Sequence, residues 1–173
     1  MHPPVATACL VNPIGWCDRT WSPVTGCSHV SPGCDHCYAE VFAHRLQAMG
    51  QPRYINGFTV TCHEDALGEP LKWKKPQRIF VCSMADLFHP QVPWGFVQRV
   101  FGVMERCPQH TFLLLTKRPG RMAWYAHQRI WASGQVVEGA WPRNVWAGVS
   151  VESQKYAPRL DVLARVPDAV RFV

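Results

Sequence analysis

At 173 residues, 47% of them apolar and 17% charged, the chain is long enough to bury a core and too apolar to be disordered. Its net charge of +6 admits nucleic acid as a partner without requiring it. No apolar run approaches the ~18 residues of a membrane span, and the start, Met1 to Gly15, lacks a basic leader and is broken by Pro3, Pro4 and Asn12. Neither a membrane anchor nor a signal peptide is therefore expected, and the eight cysteines are expected as reduced thiols of a cytoplasmic protein.

In chain order, residues 1–20 are expected as an N-terminal extension and residues 21–173 as one domain. The first motif is Gly26-Cys27-Ser28-His29-Val30-Ser31-Pro32-Gly33-Cys34-Asp35-His36-Cys37, with cysteines spaced Cys-x6-Cys-x2-Cys. An amphipathic helix follows from Tyr38 to Met49, with Tyr38, Val41, Phe42, Leu46 and Met49 at helical spacing, and Gly50 and Pro52 end it. Phe58 to Cys62 predicts a short strand, and Glu64 to Leu71 a short helix. Arg78 to Ser83 predicts a buried strand holding Cys82 as a small core residue, and Val92 to Arg106 a strong helix with Phe96, Val97, Val100, Phe101, Val103 and Met104 inward. Thr111 to Thr116 is a continuous apolar strand. A helix near Gly120 to Trp131 precedes a Gly-rich loop at Ser133 to Gly139. Val145 to Ser150 is a third such strand, Gln154 to Val166 a helix, and Val170 to Val173 begins a fourth strand.

Strands apolar on both faces, each followed by a helix, predict an α/β fold with a parallel sheet covered by helices. No glycine-rich dinucleotide loop interrupts the alternation, which leaves a barrel or an open sheet. A closed barrel takes about 200–250 residues, so a partial or truncated one is expected. Polar residues gather after three strand ends: Ser83 and Asp86, Thr116 and Lys117, Ser150 and Glu152. In parallel α/β folds that edge carries the active site, although single residues of these types also serve as helix caps and turn formers.

Cys27, Cys34 and Cys37 are the candidate metal ligands. A helix start stabilises thiolates through free N–H groups and the helix dipole, and Gly26 and Gly33 let the backbone bend closely around a bound group. Three thiolates suit a 4Fe–4S cluster with one open iron. The same three with His29 suit a structural zinc, His36 being badly placed between two cysteines. Spacing leaves both open, together with three unrelated thiols. Of the remaining polar residues, Lys117 and Arg118 are candidates to meet a phosphate or carboxylate, and His89 is a candidate proton donor. The tryptophans are expected as core or interface bodies.

The segments Trp21-Ser22-Pro23-Val24-Thr25-Gly26-Cys27, Ser31-Pro32-Gly33-Cys34 to Cys37-Tyr38-Ala39-Glu40, Arg78-Ile79-Phe80-Val81, Ser83-Met84-Ala85-Asp86-Leu87-Phe88-His89, Leu115-Thr116-Lys117-Arg118-Pro119 and Val145-Trp146-Ala147-Gly148-Val149-Ser150-Val151-Glu152 resemble, in order, the three-Cys-motif proteins of phages and bacteria. That family, first known from mycobacteriophage gene products, is of uncharacterised function and resembles radical S-adenosylmethionine enzymes. The resemblance implies a TIM-like partial barrel, a 4Fe–4S cluster on Cys27, Cys34 and Cys37, S-adenosylmethionine as cofactor, and the host cytoplasm as location if the chain is phage-encoded. The first gap of six departs from the commoner gap of three. No glycine-glycine-glutamate strand end is present to take the methionyl amine, so Ser83, Asp86 and Glu152 are the candidates for cofactor binding. The substrate is unknown, with nucleic acid one option. The alternative function is a zinc- or cluster-stabilised module that binds nucleic acid or protein without catalysis.

Overall fold

The structure is a computed structural model that describes residues 15–132 and 141–173. The loop expected at Ser133 to Gly139 lies outside the described residues. The elements are β1 (Arg19–Trp21), β2 (Val24–Thr25), α1 (Tyr38–Ala48), β3 (Thr61–Cys62), β4 (Arg78–Val81), α2 (Trp94–Glu105), β5 (Thr111–Thr116), α3 (Pro119–Ala132), β6 (Val145–Val149), α4 (Arg159–Leu163) and β7 (Val170–Phe172). The main sheet is five-stranded and parallel throughout, in the order β1-β4-β5-β6-β7. Its two outer strands, β1 and β7, do not pair with each other, so it is open among the described residues. β2 and β3 form a small antiparallel pair beside it.

The apolar strands divide their side chains by the two-residue period of a pleated sheet. Ile79, Val81, Phe112, Leu114, Val145, Ala147 and Val149 face one layer, where α2, α3 and α4 supply Phe96, Val97, Val100, Phe101, Met104, Met122, Ala126 and Leu163. Phe80, Leu113, Leu115 and Phe172 face the other way and meet Cys17. Trp16 lies 4.6 Å from Phe80, ring centre to ring centre. Gly148 makes room on that second face: a Cβ there would stand 2.5 Å from the Phe172 ring. All six α2 residues expected inward are buried.

Three expectations need correction. The helix expected over Gln154 to Val166 is a 3₁₀ turn, Gln154–Tyr156, followed by α4. Pro158 lacks the N–H that a continuous helix would use and restricts Ala157 before it. Glu64 to Leu71 likewise holds two single 3₁₀ turns, Glu64–Ala66 and Pro70–Lys72, the second opened by a proline. On α1 the apolar stripe faces outward: Val41 is 61% exposed and Met49 66%, whereas Ala39 and Ala43 are buried. The small residues let that helix sit close to the protein.

β1 straddles the expected boundary at residue 20 and is stapled to β4 by Asp18. The Asp18 carboxylate accepts the Arg78 backbone N–H at 2.7 Å and its guanidinium at 3.2 Å. Those bonds, the backbone one first, hold the Asp18 carboxyl below its ordinary value of 3.8. A depressed folded-state pKa contributes stability above the unfolded value that is lost as pH falls through the folded one. Asp18→Asn should therefore melt below wild type at neutral pH, and the gap should close as pH drops below 3.8. A gap that persists unchanged under strong acid contradicts this role.

Candidate active site at the carboxyl edge of the sheet

The strands β4, β5 and β6 end together, and the loops after them enclose a cavity of about 430 Å³. Cys27, Cys34 and Cys37 all line it, from the loop before α1. Cys82, Ser83, Met84, Ala85 and Asp86 enter after β4, Thr116, Lys117 and Arg118 at the end of β5, and Ser150 after β6. Trp16, Phe58, Phe80 and Leu115 supply apolar walls.

The cysteine loop is anchored at several points. Gly26 has φ of +77° and forms a parallel bridge to Ala85, and the Cys27 N–H donates to the Phe58 carbonyl at 3.2 Å. Pro32–Cys34 forms a 3₁₀ turn that leads into α1, whose N-cap is Cys37. Cys34 is buried, and Cys27 and Cys37 are half-buried. Burial pushes the Cys27 thiol up, and the nearby Arg118 guanidinium opposes that. Burial also raises the Cys82 thiol strongly. Cys82 has φ of +58° where β4 turns into the site, a backbone conformation that costs a non-glycine residue energy and is found disproportionately at functional sites.

Asp86 is the buried hub. Its carboxylate accepts the Thr116 hydroxyl at 2.8 Å, the Phe88 N–H at 3.0 Å and the Lys117 N–H at 3.3 Å. It also pairs with Arg118 at 3.0 Å, and both side chains are less than a tenth exposed. With these partners Asp86 is committed inside the protein. Ser83 lines the cavity, and its carbonyl accepts the Tyr38 hydroxyl at 2.5 Å.

Glu152 is engaged by the cysteine loop itself. It accepts the Ser31 hydroxyl, pairs with Arg159 at 2.6 Å, and lies so close to Gly33 that a Cβ there would meet its side chain at 2.7 Å. Burial raises its pKa, but the Ser31 hydrogen bond, its own backbone N–H, Arg159 and Lys117 bring the carboxyl below its ordinary range. Glu152 thus clamps the loop to the end of β6. Spacing gives no sign of the Ser31–Glu152 pair, whose partners are 121 residues apart. The one local hint is the glycine at position 33, which leaves room for a neighbour.

His89 donates rather than accepts toward the loop. Its Nδ1 takes the Gln91 N–H at 3.1 Å, so a neutral ring carries its hydrogen on Nε2, 2.7 Å from Ser28 Oγ. Burial and then Arg118 lower its pKa and keep it neutral. In that tautomer the ring donates to Ser28 rather than accepting its proton. His29 turns away to Glu40, 3.0 Å from its carboxylate. Among the described residues no three His, Cys, Asp or Glu side chains stand close enough to hold one metal ion, and no helix is long and apolar enough to cross a membrane.

No curated protein and no solved structure matches the chain. The family described as "Protein of unknown function (DUF5131)" matches residues 11–173, nearly the whole sequence and all of the site, and the chain belongs to that family.

Proposed function

We propose that this protein is a radical S-adenosylmethionine-type enzyme of unknown substrate, built as a TIM-like partial barrel with a 4Fe–4S cluster on Cys27, Cys34 and Cys37. The observation that carries the reading is the convergence of these three cysteines on one cavity at the carboxyl ends of parallel strands. Parallel α/β enzymes place their chemistry at that edge. The barrel part of the reading is supported by the winding: β4, β5, β6 and β7 follow one another in sequence and space, with α2, α3 and α4 contributing to one core layer.

Three thiolates lining one cavity suit a cuboidal cluster that leaves one iron open. His29, the fourth ligand a zinc site would recruit, is engaged by Glu40 and does not line the cavity. When bound, such a cluster with an open iron supplies the electron that cleaves the sulfonium of S-adenosylmethionine to a 5′-deoxyadenosyl radical. This chain's own residues hold and shield the site. Glu152 and Ser31 fix the loop, Asp86 and Arg118 fix Cys27, and Tyr38, Phe58 and Phe80 line the cavity beside the cysteines. Ser83, of the three candidates for cofactor binding, lines the cavity, while Asp86 and Glu152 act in the reading as positioning residues.

Anaerobic purification followed by metal analysis and an absorption spectrum tests the proposal. A brown protein with about four irons per chain is expected, and S-adenosylmethionine should then yield 5′-deoxyadenosine under reducing conditions. A colourless protein with one zinc per chain sinks the cluster and favours a binding module. A fully loaded cluster that leaves S-adenosylmethionine intact sinks the enzyme and keeps the cluster.

A further inference from the structure

We infer that Arg118 is the positioning residue of the thiolate site: aimed by the buried Asp86 carboxylate, its guanidinium fixes Cys27 and donates an N–H to the sulfur, setting the potential of the bound centre. The inference rests on the cluster reading above and adds a residue that spacing does not mark as part of it.

The guanidinium has four described partners. Nη1 lies 3.0 Å from Asp86 Oδ2 and 3.4 Å from Cys27 Sγ. Nη2 donates to the Ser28 carbonyl at 2.8 Å and approaches the Ser28 hydroxyl at 3.1 Å. The planar fork of arginine suits such divided work, since its donors point in fixed directions that a single ammonium cannot reproduce. Its orientation is imposed from behind. Asp86 is itself held by the Thr116 hydroxyl and two backbone N–H groups, and the Thr116 hydroxyl in turn accepts the Arg118 N–H at 2.9 Å. These bonds give Arg118 a structural task inside the site. Lys117, its neighbour, lines the same cavity.

The chemical consequence follows from charge. A reduced iron–sulfur centre carries one more negative charge than its oxidised form. An N–H and a positive charge directed at a ligand sulfur stabilise the reduced form, and low exposure strengthens the effect. Arg118 therefore raises the reduction potential of a centre held by Cys27.

The test compares wild type, Arg118→Lys and Arg121→Lys, each reconstituted anaerobically, by iron content, thermal melt and redox titration. Arg121 is the control, because it donates to the Pro90 and Val92 carbonyls and makes no described hydrogen bond to the cysteine loop. Arg118→Lys should keep its iron and its cooperative melt while its midpoint potential moves negative, and Arg121→Lys should stay at the wild-type potential. If Arg118→Lys holds a full cluster at the wild-type potential, the Arg118 inference falls and the cluster reading stands. If Arg118→Lys loses both iron and its cooperative melt, Arg118 is only a structural prop and the inference falls. A wild-type protein that takes up no iron brings down the cluster reading, and this inference with it.

Discussion

Replacing Cys34 with alanine is expected to reduce bound iron from about four per chain to less than about one, with the brown colour lost. Cys34 is the middle one of the three proposed ligands and the most buried of them, at the end of the 3₁₀ turn that Glu152 clamps. Two remaining thiolates leave two irons without a protein ligand, and a cuboidal cluster held on one side dissociates readily. The fold itself should survive, because truncating one buried sulfur costs only about 1 kcal/mol. Cys107→Ala provides the comparison. Cys107 is the more deeply buried of the two, 1% exposed against 8%, but it sits after α2 in the core layer and away from the cavity. It should lose at least as much stability and keep all of its iron. Equal iron in the two variants would show that Cys34 is no ligand and would remove the basis of the proposed function.

Much of the frame could be read locally. β5 has the bounds its six-residue apolar run predicts, Thr111–Thr116, because such a run suits a strand covered on both faces. α2 buries the six residues its period selects. The errors lie where local pattern and tertiary packing disagree. β1 is three residues long and begins with exposed Arg19 and Thr20, so no apolar period announces it, and its place is set by pairing with β4. On α1 the period is real but the protein covers the alanine side, leaving the larger side chains outside. A hydrophobic stripe identifies a helix without saying which neighbour claims it.

The site divides in the same way. That polar residues collect after β4, β5 and β6 follows from the strand pattern alone. What each of them does depends on partners far away in sequence. Asp86 looks like a free carboxylate until Thr116 and Arg118 close on it from 30 and 32 residues downstream. Glu152 looks like a strand-end ligand until Ser31 arrives from the other end of the chain. Both carboxylates hold protein partners that their positions in the sequence do not announce. The same is true of the basic surface: Arg78 is paired with Asp18, Arg118 points inward, and Arg121 lies over the Trp94 ring at 4.1 Å.

Gly26→Ala is expected to be the most damaging single-methyl change in the loop. Two costs add. At φ of +77° an L side chain is strained by about 1–2 kcal/mol. The new Cβ would also stand 2.3 Å from the Thr59 carbonyl oxygen and 2.5 Å from that of Phe58, both backbone atoms that no rotamer change can move. Overpacking of that kind adds about 1–3 kcal/mol, for a total near 2–5 kcal/mol and a melting temperature lower by roughly 5–15 °C in a chain of this size. Gly50→Ala separates the two costs, since Gly50 has φ of +70° but nothing within 4 Å of an added Cβ. It should lose only the conformational part, about 1 kcal/mol after the alanine restricts the unfolded chain. If the two variants melt together, the close approach at Gly26 is unimportant. If Gly26→Ala falls well below Gly50→Ala, and loses iron with it, the tight crossing of the loop over Phe58 and Thr59 is what holds Cys27 at the mouth of the sheet.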